Sequence, residues 1–283
     1  MPVTSERGPD ERGQLTALVA LKRSEAAKSR LGSLPDPLRR RLAWTMALDT
    51  LRALAAVLPV IVISNQPGID ARLRSEKIAA RVLAESHSVG INAALQHGER
   101  VALAAGFHGV LASVGDLPAL RTESVRAVLA AAEKYPRAFL ADASGVGTTM
   151  LTAIGTDLAP HFQGRSAAAH RASGAIGIDA EDLGRPVPDA RRDVDSDVDL
   201  ADALRLGLGP STAQLFDDNR LGQYAVITVG EQRPDGSSAA VTGSGYRVNL
   251  PAGAAGPPLR RPTPGQRLHA VVVDQHVLSA WLY

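Results

Sequence analysis

The first candidate for chemistry in this sequence is an aspartate placed just after a short apolar run. Asp116 lies two residues beyond the β-like run at 109–114, and a Leu-Pro pair that reverses the chain follows it. A carboxylate at the end of a buried strand can hold a divalent cation over bound phosphates, because magnesium prefers one or two carboxylates together with phosphate oxygens and water. Asp116 is therefore the leading magnesium ligand, and the alternative is an aspartate that only caps the following turn.

A second run of acids, RRDVDSDVDL at residues 191–200, could supply the partner carboxylate. We expect a short strand that leads into a helix, with Asp193 and Asp195 on one side of that strand. One of them could then reach the cation held by Asp116, and two carboxylates at one metal suit nucleotidyl transfer. Three further polar residues are expected to form the start of the helix, as an N-cap, a first-turn acid and a third-position partner: Ser196, Asp197 and Asp199.

Positive charge for a triphosphate is expected in a basic loop. Residues 22–30 read KRSEAAKSR, so Lys22, Lys28 and Arg30 follow the apolar run at 15–21. In an open α/β sheet ligands bind beyond the carboxyl ends of the strands, and these cations would face such a crevice. A solvated basic loop is an equal alternative on spacing alone, and the glycine-rich Walker-type phosphate loop is absent.

Glycines and hydroxyls further along the chain could bind a second anion. The segment GVGTT at 145–149 is followed by HFQGRS at 161–166, which leads into a helix. Glycine lets the backbone approach an anion, and hydroxyls near a helix start add donors. Ordinary turn chemistry explains each piece separately, so only their joint presence favours an anion site. The seven histidines have no spacing typical of a metal site, and we interpret them as surface or core residues, with His170 and Arg171 as exceptions that could border the anion site.

Composition narrows the chemistry further. The chain has no cysteine, which excludes disulfides, thiolate zinc sites, iron–sulfur clusters and a cysteine nucleophile. Its 31 basic and 29 acidic residues nearly balance, and we expect no nucleic-acid partner. No stretch approaches the roughly 20 apolar residues that cross a bilayer, and the polar start lacks the apolar core of a signal peptide. We therefore expect a cytoplasmic protein without a membrane partner.

Alternating strand and helix patterns must position these residues. Helical patterns at 92–105 and 122–134 lie between apolar runs that predict strands at 15–21, 59–64, 109–114 and near 137–141. This order predicts an α/β fold, with a mostly parallel sheet covered by helices on both faces.

Beyond residue 213 the pattern changes to short β-like runs separated by turns. These runs predict a small barrel or curled sheet with strands at 224–229, 245–250, 269–273 and 277–282. We therefore divide the chain into a disordered lead at 1–13, a main domain at 14–213 and a small β-rich module at 214–283. Single aromatic residues in such a module are more often core than a nucleic-acid surface.

Taken in chain order, these motifs resemble the family of 2-phospho-L-lactate and phosphoenolpyruvate guanylyltransferases, which act in biosynthesis of the deazaflavin coenzyme F(420). The matching stretches are ALKRSEAAKSRLG near the start, VGINAAL, GDLPAL, GVGTTML, FQGRSAAAHRASGA and DVDSDVDLADALRLGLG. They cover nearly all of residues 15–213. The resemblance implies a Rossmann-like nucleotidyltransferase fold that uses GTP and magnesium.

The resemblance also implies roles for single residues. Asp116 and Asp193 would be the magnesium ligands and would act in catalysis. The residues implied at GTP are Lys22, Lys28, Arg30 and Asn92, with Lys28 also acting in catalysis. The residues implied at the phosphorylated acid are Thr148, Gln163, Gly164 and Ser166. Where the family has a glycine after the phenylalanine, this chain has Gln163, so either Gly164 takes over the contact with the acid or the pocket is altered.

The expected reaction is an in-line attack of the acid's phosphate on the α-phosphorus of GTP, with release of diphosphate. Phosphoenolpyruvate is the favoured acceptor, ahead of 2-phospho-L-lactate and 3-phosphoglycerate. The alternatives are a transferase for molybdopterin, a transferase that uses CTP, and a non-catalytic nucleotide-binding scaffold. A homo-oligomer stays open.

Overall fold

The computed structural model describes residues 14–21, 31, 36–85, 90–219, 223–255, 261–273 and 275–283. The predicted lead at 1–13 and the basic loop at 22–30 lie outside these residues. The chain divides into two compact units, one formed mainly by residues 46–193 and the other mainly by residues 194–283. Within the described residues, no helix is long and apolar enough to cross a membrane.

A mixed sheet forms the centre of the first unit. Its strands are β1 (Leu15–Ala20), β2 (Val60–Ile63), β3 (Arg81–Leu83), β4 (Gly109–Ser113), β5 (Arg137–Ala141), β6 (Thr148–Ile154) and β7 (Ile176–Gly177). They are arranged in the order β3-β2-β1-β4-β6-β5-β7. The sequences of β1, β2 and β4 are almost continuously apolar and buried, as expected for strands covered on both faces.

The helices of the chain are α1 (Asp36–Ala55), α2 (Ile69–Ser75), α3 (Ile91–Ala104), α4 (Thr122–Ala132), α5 (Ser166–Ala172), α6 (Ala180–Leu183), α7 (Pro188–Arg191), α8 (Asp197–Leu206) and α9 (Pro210–Asn219). Helices α8 and α9 belong to the second unit. Helix α3 packs against β1, β2 and β4. Leu18, Ile63 and Leu95 are buried in the core that these elements share. The predicted α/β fold class is confirmed.

The sheet differs from the expectation at one strand, β6. It runs antiparallel to both of its neighbours, β4 and β5, whereas the other pairs of the sheet are parallel. Its first two residues, Thr148 and Thr149, were interpreted as part of an anion-binding segment, but they begin a buried central strand. A short turn is enough to join antiparallel neighbours, so β5 and β6 follow each other without a helix between them.

The prediction of a short strand before the acidic helix α8 was wrong. Pro188 opens the short helix α7, and residues 192–196 then have no regular structure. Strand alternation therefore does not place Asp193 and Asp195 on one side. The predicted helix start is confirmed, because Ser196 accepts a hydrogen bond from the amide of Asp199, whose carboxylate accepts one from the amide of Ser196.

The second unit ends in a closed barrel, as the β-like tail predicted. The five strands are β8 (Gln223–Gln232), β9 (Ser238–Thr242), β10 (Arg247–Leu250), β11 (Arg267–Val273) and β12 (His276–Leu282). They close in the order β10-β12-β11-β8-β9. Alternate residues such as Leu268 and Ala270 fill the interior. Strand β9 was not predicted, since its small residues give a weak β signal.

Candidate active site

The carboxyl ends of β1, β4 and β5 meet at one edge of the sheet. Strand β1 pairs in parallel with β4, while β6 runs antiparallel to both β4 and β5. The strand order reverses at β1, because β2 and β3 lie on one side of it and β4 on the other. In open α/β sheets, ligands bind beyond the carboxyl ends of the strands at such a reversal. We call this region the carboxyl edge.

Gly115 lets the chain after β4 approach the end of β1 closely. A Cβ on Gly115 would lie 2.7 Å from Cδ2 of Leu21. The segment with the predicted phosphate-binding cations begins directly after Leu21, so it starts at the carboxyl edge. Lys22, Lys28 and Arg30 themselves lie outside the described residues, and their roles stay predictions.

Asp116 follows Gly115 and is half-buried, with its carboxylate Oδ1 shielded from solvent. The next residue, Leu117, is fully buried, and its amide N–H donates to the hydroxyl of Thr50 on α1 at 3.0 Å. The Thr50 hydroxyl in turn donates to the carbonyl oxygen of Met46 at 2.9 Å. These bonds fix the loop after β4 to a helix, and they hold the backbone of Asp116 at the carboxyl edge.

A carboxylate that the sequence reasoning missed organises the turn between β5 and β6. Asp142 accepts hydrogen bonds from the amide N–H groups of Val146 at 3.0 Å and Gly147 at 2.9 Å, and from the hydroxyl of Ser144 at 2.9 Å. A Cβ on Gly147 would lie 2.6 Å from Oδ2 of Asp142. This glycine therefore makes room for a carboxylate of the protein itself. The sequence did carry a signal, since aspartate at the start of a turn commonly accepts from backbone amides.

Asp193 is brought toward the same edge by its neighbour Arg191. The guanidinium of Arg191 donates to the carbonyl oxygen of Asp142 at 3.1 Å, and the amide of Ala143 donates to the carbonyl oxygen of Arg191 at 2.7 Å. Asp193 lies two residues further on and is half-buried. Because Asp142 and Asp116 follow strands of the same direction, the topology places Asp193 and Asp116 at one edge. That their carboxylates share one cation stays a prediction.

A buried aspartate, also missed from sequence, secures this arrangement. Asp189 on α7 is 3% exposed, and its carboxylate accepts hydrogen bonds from the amide of Arg121 and the hydroxyl of Ser124, both at 2.9 Å. Both donors belong to the start of α4. The segment that leads to Asp193 is thus attached to the helix that follows the Asp116 loop.

Thr148 and His170 form a buried pair beside this turn. Thr148 is the first residue of β6, and its Oγ1 lies 2.9 Å from Nδ1 of His170. The other ring nitrogen, Nε2, accepts a hydrogen bond from the amide of His161 at 2.8 Å. Burial, with smaller electrostatic contributions from His161 and Arg137, lowers the pKa of His170 to about 4. The ring is therefore neutral at pH 7.

Ser166 lies at the start of α5 and is buried. The amide of the next residue, Ala167, donates to the carbonyl oxygen of Val146 at 3.1 Å. This bond joins the start of α5 to the turn that precedes Thr148. Two of the hydroxyls predicted for the phosphorylated acid therefore belong to adjoining segments.

Asn92, expected beside the nucleoside, holds the backbone of Phe162 instead of pointing freely to solvent. Its amide nitrogen donates to the carbonyl oxygen of Phe162 at 3.0 Å, and its amide oxygen accepts from the amide N–H of Phe162 at 2.8 Å. The segment that follows contains Gln163 and Gly164, so Asn92 positions the predicted acid-binding backbone.

The backbone at Gln163 has a conformation that favours glycine. Its φ is 109° and that of Gly164 is 57°, so both lie in the left-handed region. Glycine adopts this region freely, whereas another residue there costs on the order of 1–3 kcal/mol. The family's glycine is thus understandable from the local geometry, and this chain carries strain at that position.

The carboxyl edge offers oxygen ligands that fit magnesium. Among the described residues, no group of three or more histidine, aspartate and glutamate side chains could hold a metal ion by itself. A cation held by Asp116 and Asp193 would need further ligands. Magnesium meets that condition, because it commonly binds one or two carboxylates and takes its other ligands from phosphate groups and water.

Comparison with known proteins identifies the family that this chain resembles. The family model described as "Guanylyl transferase CofC like" matches residues 15–172. A phosphoenolpyruvate guanylyltransferase from Geodermatophilus obscurus is 42% identical over 210 residues, which are 71% of this chain and 93% of the relative. The enzyme of the same name from Streptomyces coelicolor is 45% identical over 208 residues, covering 71% of this chain and 94% of the relative.

A solved structure supports the fold of the main unit. The crystal structure of a protein from Desulfovibrio desulfuricans G20, described as a nucleotide-diphospho-sugar transferase, superimposes with a TM-score of 0.53 at 16% identity. The match covers 73% of this chain and 95% of that protein. The shared feature is the nucleotidyltransferase-like sheet.

Proposed function

Since the chain belongs to the CofC-like guanylyl transferase family, we propose that it transfers a guanylyl group from GTP to phosphoenolpyruvate and releases diphosphate. Membership of the family makes it a guanylyltransferase, and the proposal adds the donor and the acceptor. It also places the reaction in biosynthesis of the deazaflavin coenzyme F(420). Phosphoenolpyruvate is preferred to 2-phospho-L-lactate because the relatives from Geodermatophilus obscurus and Streptomyces coelicolor carry the former in their names.

The observation that carries the proposal is the meeting of two kinds of group at the carboxyl edge. Asp116 stands after β4, beside the reversal of strand order. Thr148 opens the neighbouring strand β6, which pairs with β4, and the start of α5 with Ser166 is bonded to the turn before it. One side of the edge thus offers carboxylates for a cation on a nucleotide, and the other offers hydroxyl donors for a small anion.

In the proposed reaction, a phosphate oxygen of the acid attacks the α-phosphorus of GTP, and the bond from that phosphorus to the diphosphate oxygen breaks. Little covalent work is required of the protein, so positioning and charge neutralisation dominate. Thr148, Gly164 and Ser166 would hold the acid through hydroxyl and backbone donors.

The cationic side of the site would be supplied by residues that precede α1. Lys22, Lys28 and Arg30 would bind the phosphates of GTP, with Lys28 stabilising the charge that grows on diphosphate. Magnesium, held by Asp116 and Asp193, would supply further neutralisation of the phosphate charge. Asn92 would act indirectly, by fixing the segment after Phe162.

The test is a comparison of diphosphate release from the purified full-length protein. GTP and magnesium are mixed with phosphoenolpyruvate, 2-phospho-L-lactate or 3-phosphoglycerate, and CTP replaces GTP in a parallel series. The proposal expects release that needs both GTP and phosphoenolpyruvate, together with a product in which the two are joined by a diphosphate bridge. Faster release with CTP, or with another acid than with phosphoenolpyruvate, would show that the proposed donor or acceptor is wrong.

A further inference from the structure

The hydrogen bonds of His170 determine which of its nitrogens carries the proton. The amide N–H of His161 donates to Nε2 at 2.8 Å, and an amide nitrogen cannot accept a hydrogen bond in return. Nε2 is therefore unprotonated. Burial keeps the ring neutral at pH 7, since it lowers the pKa of His170 to about 4. A neutral imidazole has one N–H, so the proton is on Nδ1.

This tautomer orients the hydroxyl of Thr148. Nδ1–H of His170 donates to Oγ1 of Thr148 across 2.9 Å, so the hydroxyl accepts at this contact and must donate its own proton elsewhere. Within the described part of the chain, the Thr148 hydroxyl makes no other hydrogen bond. The threonine is 5% exposed, and a buried hydroxyl proton normally has an acceptor.

Other threonines of β6 show the contrast. The hydroxyl of Thr152 donates to the carbonyl oxygen of Ala138 at 3.1 Å, and that of Thr149 points to the carbonyl oxygen of Leu140 at 3.5 Å. Their protons are directed to the neighbouring strand β5. The oxygen of Thr148 instead accepts a hydrogen bond from His170, so its own proton is free to bond another group. Thr148 is also the first residue of β6, which begins at the carboxyl edge. A ligand oxygen is the acceptor that this arrangement suits.

His170 also joins the two segments that carry the proposed acid-binding groups. Its Nδ1 side contacts the start of β6, and its Nε2 side holds the backbone at His161, just before the strained Gln163. The ring lies edge-on to Phe162, with centroids 5.2 Å apart. One buried side chain thus fixes both segments relative to each other.

We propose that His170 is a positioning residue that holds the Thr148 hydroxyl as a hydrogen-bond donor to the phosphorylated acid. The proposal rests on the proposed function, which places that acid beside Thr148. A freely rotating hydroxyl could present either its proton or a lone pair, whereas this one presents its proton. Carboxylate and phosphate oxygens only accept hydrogen bonds, so a hydroxyl that presents its proton suits the phosphorylated acid at this position.

Two substitutions separate the two hydrogen bonds of the ring. The amide nitrogen of His170→Asn would take the place of Nδ1 and can still donate to Thr148, but the acceptor for the amide of His161 is lost. The amide oxygen of His170→Gln would take the place of Nε2 and still accepts from His161, but the donor to Thr148 is lost. The pair therefore distinguishes orientation of the hydroxyl from support of the loop.

The measurement is the affinity for phosphoenolpyruvate, by calorimetry on the full-length protein, together with KM for each substrate. We expect His170→Gln to weaken acid binding by roughly tenfold, the effect of losing one well-oriented hydrogen bond to a charged group, with KM for GTP unchanged. His170→Asn is expected to stay within about threefold of wild type. Equal weakening by both variants, or a matching rise in KM for GTP, would overturn the assignment and leave a structural role.

A double-mutant cycle tests the same link through Thr148. In a Thr148→Val background, His170→Gln should weaken acid binding no further, because the hydroxyl it orients is gone. The matched control is Thr149→Val, whose hydroxyl points to β5 and whose loss should leave acid affinity near wild type. Fully additive effects of Thr148→Val and His170→Gln would contradict the proposal.

The tautomer can be read in the wild-type protein, even if a variant fails to fold. Nitrogen NMR of labelled histidine should show a neutral Nδ1–H tautomer for His170 at pH 6–8, and an Nε2–H tautomer overturns the inference. This readout, with phosphoenolpyruvate affinity, does not depend on turnover. A protein that binds the acid as expected but releases no diphosphate would refute the proposed reaction and leave the role of His170 standing.

Discussion

The side chain of Asn92 and the backbone of Phe162, 70 residues apart in the chain, are joined by two hydrogen bonds of 3.0 Å and 2.8 Å. The amide of Asn92 donates and accepts in the same manner as a neighbouring strand would. Helix α3 is thereby attached to the segment that leads to Gln163 and Ser166. The geometry of the proposed acid site therefore depends on a residue outside it.

Replacing Asn92 by alanine is expected to loosen this segment. Both backbone groups of Phe162 would lose their partner, at a cost of about 1–3 kcal/mol in the free energy of unfolding. KM for the phosphorylated acid should rise more than KM for GTP. Thermal unfolding and steady-state kinetics check the two parts of the prediction.

A matched control exists in Asn65, which holds the backbone of Glu85 by the same pair of bonds, at 3.0 Å and 2.9 Å. Asn65→Ala should leave KM for the acid unchanged. A change in acid KM of the same size in both variants would mean that the Asn92 effect is a general loss of order.

Gln163 offers a stabilising substitution. Its φ of 109° is costly for a residue with a Cβ, so Gln163→Gly should relieve strain of roughly 1–3 kcal/mol, offset by about 0.5–1 kcal/mol of lost backbone entropy. A net gain of about 1 kcal/mol corresponds to a rise in Tm of about 2–4 °C for a protein of this size. Differential scanning calorimetry measures it.

The control for this substitution is Gln163→Ala, which removes the side chain but keeps the Cβ. It should not raise Tm, because the backbone strain persists. Equal Tm values for the glycine and alanine variants would show that the backbone of this position is relaxed. The glycine variant should retain affinity for the acid, since it restores the residue of the family pattern.

The low pKa of His170 predicts a dependence of stability on pH. The folded protein holds this histidine neutral down to about pH 4, whereas in the unfolded chain it takes up a proton near pH 6.5. Its contribution is therefore fully present above pH 6.5 and is lost as the pH falls to 4. The loss amounts to about 3 kcal/mol at most.

Urea unfolding at a series of pH values tests this linkage. In His170→Asn the free energy of unfolding should fall less steeply between pH 6.5 and 4 than in wild type. The control is His108→Asn, which changes an exposed histidine and should keep the wild-type slope. An unchanged slope in His170→Asn would contradict a buried neutral imidazole.

Features encoded in neighbouring residues could be predicted from the sequence, and features made by distant pairs could not. The alternation of strands and helices, the aspartate after β4 and the helix start at Ser196 and Asp199 depend on short stretches, and the fold class followed from them. Strand β6 was missed because its first threonines follow two glycines, Gly145 and Gly147, in a segment that also suits a turn. The bonds from Asn92 to Phe162 and from Thr148 to His170 join residues that the sequence separates by 70 and 22 positions.

The residues of the candidate site also fall into those that local sequence predicts and those that depend on distant contacts. The position of Asp116 follows from local pattern, because a strand end is recognisable in sequence. Asp142 and Asp189 were missed because their importance depends on which backbone amides the fold brings to them. The resemblance to known guanylyltransferases supplied Thr148 and Ser166, and the structure adds the hydrogen bond between Thr148 and His170.

The central claim is that Asp116 and Asp193 hold one magnesium ion for guanylyl transfer, and the most direct test is diphosphate release from GTP and phosphoenolpyruvate by single asparagine variants. We predict that Asp116→Asn and Asp193→Asn each lower kcat by at least about a hundredfold, equivalent to roughly 3 kcal/mol, while Tm stays near wild type. The control, Asp157→Asn, changes an exposed aspartate beyond the end of β6 that lies opposite the carboxyl edge, and it should keep wild-type activity. Near-normal turnover by Asp116→Asn or Asp193→Asn at the same magnesium concentration would contradict the account.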